Sequence, residues 1–501
     1  MTPTDHVAIQ ARLQPDRLAA VDLATDRRWT YAQLDAAIAR AAAVLRRRGV
    51  GEGDRLATLA RNRVLLAILH LACARLGAIF VPLNWRLSSA EIATLIEDAE
   101  PVLIVGDAQL AAHGLNGIDL DVLQAEIDDA EPEATGPADR ERPSLILYTS
   151  GTSGRPKGAL LSERNLDQTA VNFGRLGKVT HQSVFLVDAP MFHIIGLITS
   201  IRPPLMHGGT VLVSDGFEPV RTLSRLGDPA LGVTHYFCVP QMAAMLRRAP
   251  NFAPSALRRL TAVFTGGAPH PAADIRAWLA DGLPIVDGYG MSEAGTVFGM
   301  PPDLALIDAR AGSAGLAMPS VATRIVDDQD ADCPPDVAGE LLLKGDNVFQ
   351  GYWRRPEETA RAFTPDGWFR TGDIARADAE GYHWLVDRKK DMFISGGENV
   401  YPAEIEAALA DHAAIVECAV VGMPDPRWGE IGHLVVTCRE GVALNLAAIL
   451  DHLEERLARY KLPKALTLVA ALPRTASGKI QKAILREQLL AAGTTGQPDG
   501  G

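Results

Sequence analysis

Tyr148-Thr149-Ser150-Gly151-Thr152-Ser153-Gly154-Arg155-Pro156-Lys157-Gly158 is the stretch on which the reading of this 501-residue chain turns. It follows directly on a β-rich run at residues 145–148, so it reads as a loop leaving a strand. Its glycines let the backbone approach a ligand closely, and its serines and threonines set hydroxyls beside backbone N–H groups. A loop of this composition converges many donors on phosphate oxygens, and Lys157 adds a point charge. It is not a Walker A loop, because no Gly-Lys-Ser/Thr closes it onto a helix.

Outward from this loop, β-rich runs at residues 184–187, 210–213, 262–265 and 285–286 alternate with helical stretches. Such alternation predicts an α/β fold with at least partly parallel sheets. Residues 31–48 place apolar side chains at helical spacing and stop at Gly49. The most apolar run, residues 64–81, contains His70, Arg75 and Gly77 and ends at Pro82. A buried helix leading into a strand explains it better than a membrane span. Residues 121–142 are acidic and bear Pro and Gly, and they read as a surface excursion. Towards the C-terminus, helices are predicted near residues 403–410 and 446–458, with strands near 415–421 and 434–438. Together these make a compact α+β unit of roughly 110 residues beside a large domain of layered sheets and helices.

Composition narrows the function. The 49 basic and 61 acidic residues give a formal charge of −12, which argues against non-specific nucleic-acid binding. A polyanionic ligand therefore needs a local basic cluster. Cys73, Cys238, Cys333, Cys418 and Cys438 lie far apart without CxxC spacing, so no zinc knuckle or disulfide framework is expected. The N-terminal residues lack an apolar core of signal-peptide type, so a cytoplasmic protein without a transmembrane segment is expected. A homodimer is the default expectation for the oligomeric state.

The run at residues 148–158 closely resembles the phosphate loop of the acyl-adenylate-forming superfamily. That family includes acyl- and aryl-CoA synthetases, firefly luciferase and the adenylation domains of peptide synthetases. The resemblance implies ATP contacts from Thr149, Ser150, Gly151, Thr152, Ser153, Gly154 and Lys157. Asp287-Gly288-Tyr289-Gly290-Met291-Ser292-Glu293 resembles the second core motif. There the aromatic ring packs on adenine, the Ser292 hydroxyl meets the α-phosphate, and Glu293 helps to hold Mg²⁺. Charge has to be neutralised where the α-phosphorus is attacked, which suits these groups. Read without the family, Gly290-Met291-Ser292-Glu293-Ala294 is a near miss to a nucleophile elbow, with Ala294 where glycine is required. Ser153 and Ser292 stand where the family usually has threonine, and each keeps the hydroxyl.

Further motifs follow in the family's order. Asp373, in Thr371-Gly372-Asp373, matches the ribose-binding aspartate, and Arg388 falls at a second ribose contact. Gly266-Gly267-Ala268-Pro269 resembles the loop along adenine and the acyl pocket. Pro473-Arg474-Thr475-Ala476-Ser477-Gly478-Lys479-Ile480 matches the motif of the catalytic lysine, so Lys479 joins Glu293 and Ser292 as an expected catalytic residue. Arg388-Lys389-Lys390 matches the hinge, with the pivot at Lys390. The resemblance thus implies an adenylation domain at residues 1–386, a hinge at 387–390 and a mobile α+β domain at 391–490. Residues 491–501 read as a disordered tail.

Coenzyme A is expected along Gly396 and Gly397, flanked by Arg427 and Trp428. The acyl pocket is expected at His193, Tyr236, Gly266 and Gly288. Malonate-activating relatives carry an arginine at the position of Gly288, so an apolar monocarboxylic acid is expected, either a medium- or long-chain fatty acid or an aromatic one. The implied partners are that acid, ATP with Mg²⁺, and CoA. Two alternatives stay open: loading of a carrier protein in place of CoA, and a non-catalytic binding protein.

Overall fold

The computed structural model describes residues 5–133, 139–149, 156–268, 270–389, 391–395, 398–439, 442, 444–454, 456–457, 459–474 and 480–493. The chain divides into two compact units. One comprises residues 1–323 and 343–369, the other residues 324–342 and 370–501. Residues 324–342 thus pack with the C-terminal part of the chain, across a long sequence gap.

Two sheets build the first unit. A seven-stranded sheet runs Gly351–Tyr352, Lys157–Ser162, Pro143–Thr149, Ile79–Pro82, Arg55–Leu59, Leu103–Gly106 and Ile118–Asp119. In the second sheet Ile285–Met291, Ala262–Thr265, His235–Cys238, Val184–Val187, Thr210–Val213 and Leu18–Asp22 are neighbours in that order, all parallel. Their near-continuous apolar sequences fit strands covered on both faces. Gly295–Gly299 then pairs antiparallel with Ile285–Met291.

The apolar run at residues 64–81 forms the helix Val64–Leu76 and the strand Ile79–Pro82, turned by Gly77 at φ 72°. Where a surface excursion was expected, residues 120–129 form the helix Leu120–Asp129. Asp119 caps it by accepting from the N–H groups of Asp121 and Val122, and Leu120, Leu123 and Ile127 are buried at helical spacing.

In the second unit, Ile415–Asp425 and Gly429–Cys438 form a long hairpin. Phe393–Ser395 and Ala465–Leu468 extend the sheet from Gly429–Cys438. Side chains alternate across this sheet, and both faces are covered. Val420, Leu434 and Val436 pack with Ile405, Ile449 and Leu453 of the helices Pro402–Ala408 and Leu446–Leu453. Ala419, Val421 and Val435 pack instead with Leu472 and with Leu485 of the helix Lys482–Gly493. That last helix carries the chain beyond residue 490, into the segment expected to be tail. Among the described residues, no helix is long and apolar enough to cross a membrane.

Candidate active site

The phosphate-loop sequence sits at a hairpin. Pro143–Thr149 pairs antiparallel with Lys157–Ser162, placing Thr149 opposite Lys157, and the Thr149 hydroxyl donates to the Lys157 carbonyl at 3.4 Å. Ser150, Gly151, Thr152, Ser153 and Gly154 lie outside the described residues, as do Lys390, Gly396, Gly397 and Lys479. Lys157 forms an ion pair with Glu358, and its ammonium stands 5.3 Å from the ring centroid of Tyr352. The Tyr352 hydroxyl donates to Glu293 Oε1 at 3.1 Å. One tyrosine therefore touches both the phosphate lysine and the expected metal-holding glutamate.

Glu293 follows the strand Ile285–Met291 and is 7% exposed. No group of three or more possible metal ligands occurs among the described residues. The single buried carboxylate of Glu293 fits Mg²⁺ held together with substrate phosphates and water. Ser292 and Met291 are partly buried beside Glu293. The Tyr289 ring lies 5.5 Å from that of Phe298, and its hydroxyl donates to the Met291 sulfur at 3.4 Å.

Asp287 is buried and accepts from the Thr265 hydroxyl at 3.0 Å. His270 Nδ1 lies 3.0 Å from the same hydroxyl oxygen. Burial pushes the Asp287 carboxyl up to about 8, against the pull of the Thr265 hydroxyl and the Gly288 N–H. Burial likewise pushes His270 down to about 4.

Gly266, Gly267 and Ala268 follow the strand Ala262–Thr265. A Cβ on Gly266 would stand 3.1 Å from the Gly288 carbonyl oxygen and 3.4 Å from the Phe237 ring, and one on Gly267 would meet Ile195 and Val239. Gly290 completes the motif within the strand. Gly288 has little room for a side chain, since a Cβ there would lie 2.9 Å from the Phe298 carbonyl oxygen. His193 is partly buried against Phe192, with ring centroids 4.6 Å apart. A π-helical turn, Ile195–Thr199, follows it, closed by Ser200 N–H donating to the Ile195 carbonyl.

Tyr236 is fully buried, and burial with Asp188 beside it raises its phenol. Because strand neighbours face opposite ways, Phe237 is the side chain that meets Gly266.

In the second unit, Asp373 and Arg388 stand opposite each other on paired strands, and Arg388 Nε lies 2.6 Å from Asp373 Oδ1. Thr371 ties this corner down, donating to the Leu341 carbonyl and accepting from the Asp373 N–H. Arg427 and Trp428 form the tip of the long hairpin, where Asp425 Oδ1 accepts both of their N–H groups at 2.8 Å. The Arg427 guanidinium lies 5.0 Å from the Trp428 ring centroid, and Trp428 is 41% exposed. Close in sequence to residue 479, Lys482 pairs with partly buried Glu406 at 2.9 Å.

Comparison with known proteins shows the family. Residues 7–353 match the AMP-binding enzyme family, and residues 404–479 match the C-terminal domain of AMP-binding enzymes. The chain belongs to the AMP-binding enzyme family, as an acyl-adenylate-forming acid–thiol ligase. It is 39% identical over 463 residues to a feruloyl-CoA synthase of an Amycolatopsis species, covering 92% of this chain and 94% of the relative. It is 38% identical over 492 residues to an indoleacetate–CoA ligase of Aromatoleum aromaticum, covering 94% of each. Among solved structures, the o-succinylbenzoate CoA synthetase of Bacillus subtilis in complex with its acyl-adenylate intermediate superposes with a TM-score of 0.87 at 31% identity. That superposition covers 100% of this chain and 99% of the other.

Five side chains escaped the sequence reading: Tyr352, Glu358, Phe237, Ile195 and Val239. The first two lie in Gly351-Tyr352-Trp353-Arg354-Arg355-Pro356-Glu357-Glu358, whose Pro and acidic pair mark only a helix start. Their place in the site comes from the pairing of Gly351–Tyr352 with Lys157–Ser162.

Proposed function

We propose that this protein joins an apolar monocarboxylic acid to coenzyme A in two steps, with ATP as the activating substrate. The observation that carries the reading is the Lys157–Tyr352–Glu293 grouping, which sets a phosphate-binding cation beside a metal-holding carboxylate. In the first step an oxygen of the acid attacks the α-phosphorus of ATP, the bond to the β-phosphate breaks, and pyrophosphate leaves an acyl-adenylate. In the second step the CoA sulfur attacks the acyl carbon and AMP departs. No side-chain nucleophile is required, so positioning and charge stabilisation carry the catalysis.

Lys157 and the loop at residues 149–154 hold phosphate oxygens, and Tyr289 with Gly267 and Ala268 lines the adenine. Mg²⁺ at Glu293, bound together with phosphate oxygens, supplies charge neutralisation. Asp373 accepts from ribose hydroxyls and Arg388 steadies it. Lys479 brings positive charge to the carboxylate and α-phosphate, carried by a C-terminal domain that pivots at Lys390. Gly396, Gly397, Arg427 and Trp428 receive CoA.

The acid is apolar because the side chains around Gly266 and Gly267 are Phe237, Ile195 and Val239. It is a monocarboxylate because the backbone leaves little room at Gly288 for a second cation. The two relatives are named for aryl acids, so aromatic acids come first in the panel and fatty acids second.

The test is CoA-dependent AMP release across aromatic and fatty acids, with a phosphopantetheinyl carrier protein as the competing acceptor. Acyl transfer to the carrier and not to CoA would overturn the acceptor. In the same assay Lys479→Ala should abolish acid-dependent pyrophosphate release, and undiminished release would remove the lysine from the mechanism.

A further inference from the structure

The two groups that hold Mg·ATP in the proposed reaction, Lys157 in the strand Lys157–Ser162 and Glu293 in the turn after Ile285–Met291, are joined by a third segment. Residues 349–352 hold Glu293 twice. Phe349 N–H donates to the Glu293 carbonyl at 2.7 Å, and the Tyr352 hydroxyl donates to its carboxylate at 3.1 Å. Tyr352 is itself fixed on three sides. Its backbone pairs opposite Ala159, two residues beyond Lys157, and its N–H donates to Thr359 Oγ1 at 2.9 Å. Its ring meets that of Phe349 at 4.8 Å, nearly edge-on. The ring so anchored is a firm support for the Lys157 ammonium, which also pairs with Glu358.

We propose that Tyr352 is a positioning residue for Mg·ATP: its hydroxyl aims the Glu293 carboxylate at the metal while its ring sets the Lys157 ammonium against the phosphates. A carboxylate of a metal site is oriented by the hydrogen bonds behind it, and losing such a partner typically weakens metal affinity about tenfold or more. The proposal rests on the role given to Glu293 above. Its test therefore uses binding, which needs neither acid nor CoA.

The probe is α,β-methylene-ATP, in which the bond broken by adenylation is replaced, titrated calorimetrically over a series of Mg²⁺ concentrations. Tyr352→Phe keeps the ring and removes the hydroxyl. It should raise the Mg²⁺ concentration for half-maximal binding about tenfold, while binding at saturating Mg²⁺ stays near wild type. Tyr352→Leu removes the ring as well and should also weaken binding at saturating Mg²⁺. In a Glu293→Gln background, Tyr352→Phe should no longer move the Mg²⁺ midpoint, because both changes act on one contact. Thr359→Ala, which loosens the segment without touching the hydroxyl, should lower the melting temperature and leave the Mg²⁺ midpoint in place. An unshifted midpoint in Tyr352→Phe, or an equal shift in Thr359→Ala, overturns the proposal. Normal Mg²⁺-dependent binding without acyl-CoA formation would instead count against the proposed reaction alone.

Discussion

Two groups of charged side chains in the first unit resemble each other in composition and differ in what encloses them. In one, Arg202 donates to both oxygens of Glu163 at 2.8 Å and to Asp167 Oδ1 at 3.2 Å, and its second terminal nitrogen lies 2.9 Å from His70 Nε2. All four side chains are buried. Burial by itself would raise the Glu163 carboxyl, yet Arg202 holds it below the usual carboxylate range, and burial with Arg202 pushes His70 down to about 3. In the other, Lys157, Glu358 and Tyr352 are only partly buried and gather around Glu293. The first group pairs its carboxylates with Arg202 inside the protein, and its members come from the helices Val64–Leu76, Glu163–Leu176 and Arg202–His207, so it fastens helices together. The open group has the same chemistry at a strand end, where a ligand's phosphates can share it. The two carboxylates are equally buried, Glu163 at 8% and Glu293 at 7%, and what separates the groups is the partly exposed Lys157, Tyr352 and Glu358 on the Glu293 side.

That distinction can be broken most directly at Glu293. Glu293→Gln should lower acid-dependent pyrophosphate release by about a hundredfold or more and leave the melting temperature nearly unchanged. A large fall in melting temperature would make Glu293 another fastener.

Glu163→Ala should do the reverse. Stranding the buried Arg202 charge should cost about 3–5 kcal/mol in chemical denaturation, with turnover per folded molecule preserved. Lost turnover at full stability would place the Arg202 group in the mechanism.

The pH dependence sharpens the contrast, because the two buried carboxyls at issue shift in opposite directions. Glu163 is depressed, so its contribution is present above the ordinary carboxylate pKa and is lost as pH falls through its folded value. Asp287 is raised to about 8 from an ordinary value of 3.8. The folded state therefore holds its proton longer than the unfolded state does, and stability falls as pH rises between those values. Asp287→Asn should accordingly be more stable than wild type near pH 8 and lose that advantage near pH 4. Melting curves across this range check it, and parallel profiles would show that the carboxyl is not held neutral. The smallest effect is expected at Trp428, which lies outside both groups. Trp428→Ala should raise the KM for CoA by a few fold, about 1 kcal/mol, without changing pyrophosphate release.

Much of the fold was legible because burial leaves a direct trace in sequence. The runs at residues 184–187, 210–213 and 262–265 are strands with those same limits, since a strand covered on both faces must be apolar throughout. The helix Leu120–Asp129 was missed because acidic residues mask its three buried apolar positions. In the site, the motifs at residues 148–158 and 287–293 are contiguous, so their chemistry could be read from neighbouring letters. Tyr352 could not, because its partners come from two other segments. That Phe237 meets Gly266 could not be read either, because a one-residue step along a strand reverses the face and the sequence carries no mark of which face that is.

The amino-acid sequence by itself determined the kinds of groups present: a hydroxyl-rich loop with its lysine, a glutamate just after a glycine-bearing strand, and the aspartate and arginine at residues 373 and 388. These follow from local composition and spacing, which the chain carries wherever it folds. Only the tertiary structure decided that Lys157 and Glu293 share one tyrosine, that backbone packing crowds Gly288, and that Glu163 is paired with Arg202. Those outcomes depend on which strands pair and which faces close, and such long-range contacts leave no local signature in the residues that make them.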